Sequence, residues 1–317
     1  MDAIRLENLS KFYRSGFWMR RFEAVRNISV TVPKGEAFGF VGPNGAGKTS
    51  TIKILAGLQN ATSGEAYING IPCSNHESRR HLGFLPERPY FYTHLTANEV
   101  LRFYGSLFGM SGPMLTDRIR TLLTRVEMTR FADVPLGKYS KGMLQRVGLC
   151  QTLLHDPEVI LLDEPMSGLD PVGRALVRDI ILEERSAGRT VFFCSHVLSD
   201  VESICQRVAI LIRGEIRMQG SIQDLISDTS DKMVCAFKTM DETVITEIQE
   251  ETPSINQRID GLWEIQFSET EWRQFLNKYS SRISIVEVQP LRKNLEEILV
   301  DEVQKESITA GELGVLA

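Results

Sequence analysis

The residues with the most chemistry to offer are Gly42-Pro43-Asn44-Gly45-Ala46-Gly47-Lys48-Thr49. They fit the pattern G-x-x-x-x-G-K-[ST] in full. Glycine is needed where a phosphate must come close to the backbone and where φ turns positive. The N–H groups of such a turn, with the positive end of the following helix, converge on an anion. Lys48 adds a point charge for β- and γ-phosphates, and Thr49, ahead of Ser50, offers a hydroxyl to Mg²⁺. The pattern has meaning only between a strand and a helix. An apolar run at 38–41 precedes it, and Ile52, Ile54, Leu55 and Leu58 give the next segment an apolar side. The expected chemistry is the binding of a nucleotide phosphate.

A second group of residues could complete such a site. Leu161-Leu162-Asp163-Glu164-Pro165 closes an uninterrupted apolar run, and ligands in open α/β sheets lie at strand C-termini. Asp163 there can hold Mg²⁺ through water, and Glu164 can accept a proton from an attacking water. Tyr139-Ser140-Lys141-Gly142-Met143 opens a predicted helix. Ser140 and Gly142 are read there either as a plain helix cap or as a second anion site. Ser167-Gly168-Leu169-Asp170 reads as a turn. His196 stands at another strand end, either structural or within reach of a γ-phosphate.

The elements that must position these residues follow from periodicity. Alternation at 3–9 and 28–32 predicts two antiparallel strands ahead of the phosphate loop. The basic, aromatic stretch between them (14–22) is read either as a solvated loop or as a surface for headgroups or a partner. Short strands are expected at 66–70 and 82–87. A capping box at Thr96 and Glu99 opens a helix carrying Val100, Leu101, Tyr104, Leu107 and Phe108, all expected in the core. Helices carrying Leu115 to Val126 and then 141–154 complete a helical insert of about 88–156. Apolar runs at 159–162 and 191–194 are expected as strands buried on both faces of a parallel sheet. Helices at 171–187 and 198–205 and a strand at 207–212 complete a doubly wound α/β core ending near Gly220. Beyond a polar joint, strands at 232–238, 262–267 and 283–288 alternate with helices at 243–250, 269–279 and 294–303. This β-α-β-α-β order predicts a small C-terminal α+β module at 221–303, ferredoxin-like in character. A frayed tail is expected at 304–317.

Composition narrows the class. The chain has 317 residues and a net charge of −5, so no basic field argues for nucleic acid. Five scattered cysteines form no C-x-x-C pair and suit a reducing compartment. The N-terminus has no apolar h-region, and no run approaches the roughly 20 apolar residues of a membrane span. The expectation is a cytoplasmic protein that reaches a membrane only through a partner.

Taken in order, these motifs over residues 1 to about 220 resemble the ATP-binding subunit of the ABC transporter family. The resemblance identifies 42–49 as the Walker A loop, 159–164 as the Walker B strand with its catalytic glutamate, and 139–145 as the signature segment. It makes 167–170 the D-loop and His196 the switch histidine. It implies a P-loop NTPase core with an antiparallel β subdomain, hydrolysis of ATP, and Mg²⁺ as cofactor. The implied nucleotide contacts are Tyr13 on adenine, then Gly42, Asn44, Gly45, Ala46, Gly47, Lys48, Thr49, Ser50 and Asp170. Glu164, His196 and Lys48 are implied in catalysis, and Thr49, Asp163 and Glu87 toward the metal. The resemblance further implies two chains, or a homologous pair, sandwiching two ATP molecules, with Ser140 and Gly142 acting on the nucleotide of the other chain. It implies an integral-membrane permease as partner and a place on the cytoplasmic face of the membrane. This sequence departs from the family at Glu87, where Gln is usual, and at Lys141 and Met143, where Gly and Gln are usual. These departures and the appended module resemble the export-type branch that serves drugs, lipids, polysaccharides or other cargo. Import-type and soluble ABC ATPases are the competing readings. The appended module is expected to brace a dimer or to take a regulatory ligand.

Overall fold

The computed structural model describes residues 2–15, 20–227, 232–239, 241–251, 255–258, 260–290, 294–300 and 302. Two compact units divide the chain, one over Met1–Ile222 with Leu299–Ala317 and one over Gln223–Ile298.

The first unit begins with a long hairpin, β1 (Asp2–Ser15) and β2 (Arg20–Pro33). β3 (Ala37–Val41) leads through the glycine turn into α1 (Lys48–Leu55). β4 (Ser63–Ile68) and β5 (Ile71–Pro72) follow, then β6 (Leu82–Leu85). Three helices come next: α2 (Ala97–Leu107), α3 (Gly112–Arg125) and α4 (Lys141–Leu153). The chain then alternates through β7 (Val159–Asp163), α5 (Pro171–Ser186), β8 (Thr190–Ser195), α6 (Leu198–Ile204) and β9 (Arg207–Ile212). β10 (Glu215–Ser221) closes the sheet and α7 (Ile222–Ser227) follows it.

Two sheets share one apolar core. The antiparallel sheet has the order β2-β1-β4-β5, and the central sheet β10-β9-β3-β8-β7-β6. In the latter every pairing except β9 with β10 is parallel. All residues of β3, β7 and β8 are buried, which is why they read as apolar runs rather than alternations. Ile4, Leu6 and Val30 of the antiparallel sheet join Phe38, Phe40, Leu161 and Phe192 of the central one, with Ile52 and Leu55 of α1, in a single cluster. The Phe192 ring lies between Phe38 (5.8 Å) and Phe40 (5.3 Å). Such contacts fix the C-terminal ends of β3 and β8 side by side.

The insert between β6 and β7 forms as its caps dictate. Thr96 and Glu99 make the reciprocal capping box at the start of α2, satisfying two N–H groups that the helix itself cannot. Leu115, Ile119, Leu122 and Leu123 bury one stripe of α3. The expectation that Leu107 and Phe108 belong to the core is not met. Both are exposed, at 65% and 41%, because α2 ends at Leu107 and Phe108 is already its C-cap. Phe108 instead stacks on His155 with ring centroids 3.8 Å apart.

The expected loop at 14–22 is also shorter than its composition suggested. The β1–β2 ladder continues through Phe12↔Glu23, Tyr13↔Phe22 and Arg14↔Arg21, and the Arg21 guanidinium lies 3.5 Å from the Phe12 ring centroid. Phe17 and Trp18 lie outside the described residues.

The second unit contains β11 (Lys232–Lys238), α8 (Glu242–Glu251), β12 (Asn256–Gln257), β13 (Trp263–Ser268), α9 (Glu269–Tyr279) and β14 (Ser284–Pro290). Residues 295–300 are helical. The antiparallel order β12-β13-β11-β14 is that of the split β-α-β-β-α-β, ferredoxin-like arrangement. Phe237, Phe267, Phe275 and Tyr279 centre its own core with Ile248 and Ile265. The tail expected at 304–317 lies outside the described residues, as does the end of the helix expected at 294–303.

Candidate functional site

The turn between β3 and α1 is held from three sides by backbone. Gly214 N donates to Ala46 O (2.9 Å), Arg26 N donates to Gly214 O (2.7 Å), and Thr51 N donates to Gly47 O (3.0 Å). Gly47 has φ 112°, and a Cβ there would lie 2.2 Å from the Ala24 carbonyl oxygen. Gly45 also has positive φ, but the space beside it is open. One glycine lets the loop close on its support and the other leaves room above it. The Lys48 side chain is buried, and its ammonium donates to Gly42 O (2.6 Å) and Pro43 O (3.2 Å). The charge is thereby fixed over the loop at the head of α1.

These residues open onto a cleft of about 290 Å³ lined by Tyr13, Phe22, Ala24, residues 44–50, Glu87, Glu164, Ser167 and His196. The buried strand β7 delivers the acids, and β8 the histidine. Asp163 closes β7 and is almost wholly buried. Burial, with the charges of Glu164 and Glu87 nearby, pushes its carboxyl up to about 6, against the pull of the Thr49 hydroxyl and Lys48. Asp163 Oδ1 has no hydrogen-bond partner, although a buried carboxylate oxygen needs one. That orphaned oxygen beside the Thr49 hydroxyl suits a small hard cation that takes one or two protein oxygens and completes its shell with phosphate and water. Glu87 reaches the same cleft with a half-exposed side chain, 3.8 Å from Arg88 Nε.

Glu164 follows at φ 52°, a left-handed conformation rare outside glycine. Its N–H donates to Cys194 O of β8 at 2.9 Å. Its Oε1 lies 2.8 Å from His196 Nδ1. A carboxylate only accepts, so Nδ1 carries the proton and Nε2 is left for other contacts.

Tyr13 stands at one side of the cleft, its hydroxyl within hydrogen-bond distance of Gln59 Oε1 (2.5 Å) and Ser50 Oγ (3.2 Å). Phe22, its partner across the β1–β2 ladder, lines the same cleft. Phe22 and Ala24 line the cleft without having been singled out in the sequence, and Ser167, the first residue of the turn read there, joins them. The signal for Phe22 is its register opposite Tyr13, which emerges only from the pairing of β1 with β2.

Ser140, Gly142 and Asp170 are not brought to this cleft. They line a separate one with Lys141, Met143, Arg146, Gly168 and Leu169. Ser140 caps α4 by accepting from Met143 N at 3.2 Å. Asp170 caps α5 by accepting from Gly173 N at 2.9 Å, so that carboxylate oxygen serves the helix rather than the phosphate loop of its own chain. Among the described residues no group of three or more His, Cys, Asp or Glu side chains could hold a metal. A hydroxyl-plus-carboxylate site at Thr49 and Asp163 requires none.

A glycine turn between buried strand and helix, with acids at the end of a second buried strand of the same parallel sheet and an antiparallel sheet packed on the core, defines a P-loop NTPase of mixed α/β architecture. Residues 25–167 match the family described as ABC transporter. An ABC transporter ATP-binding protein of Synechocystis sp. is 47% identical over 233 residues, covering 72% of this chain and 65% of that one. Another from Nostoc sp. is 37% identical over 317 residues, covering 98% of this chain and 93% of that one. A solved dimeric ATP-binding cassette, in a post-hydrolysis state bound to ADP and Pi, superposes with TM-score 0.64 at 26% identity, covering 69% of this chain and 98% of that one. The chain belongs to the ATP-binding proteins of ABC transporters.

Proposed function

We propose that this chain is the ATPase subunit of an exporter, coupling ATP binding and hydrolysis to substrate movement through a separate membrane permease. The observation that carries this reading is the separation of two half-sites on one unit. The phosphate loop, Glu164 and His196 line one cleft, while Ser140 and Gly142 line another. Each half is incomplete for polyphosphate chemistry, and two copies placed head to tail complete both. The dimeric cassette to which the chain is similar supports this arrangement.

In this reading Lys48 and the loop N–H groups grip the β- and γ-phosphates. Thr49 and Asp163 hold Mg²⁺, with Glu87 beside them, and the cation neutralises charge on the phosphate oxygens. Glu164 takes the proton of the attacking water, and His196, oriented by Glu164, directs Nε2 toward the γ-phosphate. Ser140 and the N-terminus of α4 meet that phosphate from the partner chain. Tyr13 and Phe22 offer aromatic faces to the base.

No helix among the described residues is long and apolar enough to cross a membrane, and in this reading a permease supplies the path. Tyr90, Tyr92, Phe103, Leu107 and Met114 are exposed on the insert, between 53% and 86%. An apolar surface of this kind, following Glu87, supports docking to the permease on the cytoplasmic face of the membrane. The second unit, with its own core, is assigned as a brace for the dimer. The Tyr-Ser-Lys-Gly-Met segment, Glu87 and this unit support the export direction.

The test is copurification followed by reconstitution. A multispanning protein should accompany the chain, raise its ATP turnover, and move substrate away from the face that carries the ATPase. Movement toward that face would assign an importer, and a chain that hydrolyses ATP but recruits no membrane protein would contradict the transport reading.

A further inference from the structure

Ser167 belongs to two neighbourhoods. It lines the nucleotide cleft beside Lys48 and Glu164, and its hydroxyl accepts a hydrogen bond from Lys141 Nζ at 3.1 Å. Lys141 is the first residue of α4 and lines the other cleft with Ser140 and Gly142. The lysine stem runs close along Gly168, where a Cβ would lie 2.7 Å from Lys141 Cδ. Gly168 also has φ +75°, so the turn needs glycine both for its backbone and for the stem that crosses it. Ser167 N donates to Glu164 O at 3.1 Å. A continuous path from Lys141 through Ser167 to Glu164 therefore joins the two clefts inside one chain.

We propose that Lys141 is a positioning residue that couples these clefts: it holds Ser167 against the nucleotide cleft of its own chain and gives up that contact to the phosphate presented by the partner. The proposal rests on the head-to-tail reading above. A lysine ammonium is a compact charge with three donors on a flexible stem. Its bond to a hydroxyl carries charge on the donor alone, whereas a bond to phosphate pairs two opposite charges and is the stronger. A polyphosphate arriving at the start of α4 competes for the same Nζ. Nucleotide at one site is thus reported to the Ser167 turn, and through it to Glu164, at the other.

The experiment compares Lys141→Met, Ser167→Ala, the double variant and Lys141→Arg in the full chain, following ATP hydrolysis against Mg-ATP concentration. Lys141 is exposed, so its variants keep the fold. Each single change should lower the Hill coefficient from near two toward one and reduce turnover by about three- to tenfold, the scale of coupled contacting residues. The double variant should be no worse than the poorer single one, and Lys141→Arg should keep most of the wild-type cooperativity. Losses that multiply in the double variant, or an unchanged Hill coefficient in Lys141→Met, would overturn the coupling. A wild-type chain that binds Mg-ATP yet never pairs would overturn the head-to-tail reading and the coupling with it.

Discussion

Glu164 Oε1 and His196 Nδ1 meet at 2.8 Å from the ends of adjacent strands β7 and β8. The carboxylate thereby sets the imidazole tautomer, and the two side chains act on the cleft as one unit. Glu164→Gln should reduce ATP hydrolysis by about 10²- to 10⁴-fold, the usual contribution of a general base, while Mg-ATP still binds. His196→Ala should reduce it by about 10- to 100-fold, the scale of one hydrogen bond to a charged group. Steady-state turnover beside equilibrium nucleotide binding measures both. Full turnover in Glu164→Gln would remove Glu164 from the chemistry.

Gly47→Ala tests the loop through its support rather than its charges. The added methyl meets the Ala24 carbonyl at 2.2 Å in a backbone of φ 112°, and a forced left-handed residue costs about 1–3 kcal/mol before the clash is counted. Calorimetric titration should show Mg-ATP binding lost, while circular dichroism shows the helices and strands retained. Retained binding would mean that the loop is free to shift.

The five cysteines give a pH test of the core. All are buried, and burial pushes the Cys73 thiol up to about 12 and Cys235 up to about 11. Cys150, Cys194 and Cys205 are driven upward by the same cause. Because the thiolate is the nucleophile, raising the pH from 7 to 9 should leave the native protein almost unlabelled by an alkylating reagent. The same reagent in urea should modify all five. Fast labelling of the native protein at pH 9 would show that the sheet opens readily.

Much of this architecture is legible in the amino-acid sequence, for identifiable reasons. β3, β7 and β8 announce themselves because burial on both faces leaves unbroken apolar runs at 38–41, 159–162 and 191–194. Asp163, Glu164 and His196 are legible because they stand where those runs stop. The start of α2 is legible because Thr96 and Glu99 carry a local hydrogen-bond pattern that needs no tertiary context. What escaped depends on partners distant in sequence. Phe12 to Arg14 do not alternate in polarity, so only pairing with Arg21 to Glu23 reveals them as strand. β12 is two polar residues, Asn256 and Gln257, and exists only as an edge to β13. Leu107 and Phe108 follow a helical period but face outward, since periodicity does not say where the neighbouring helix ends. Ser167 is legible as part of a turn, but its contact with Lys141 is not, because it joins two segments of unrelated pattern.

The pairing of two chains around nucleotide is tested most directly by the solution mass of Glu164→Gln, by light scattering with and without Mg-ATP. The 35.8 kDa chain should double its mass when Mg-ATP is added, and adding Gly142→Asp should abolish the doubling while nucleotide still binds. A mass that stays at one chain with Mg-ATP bound would contradict the account.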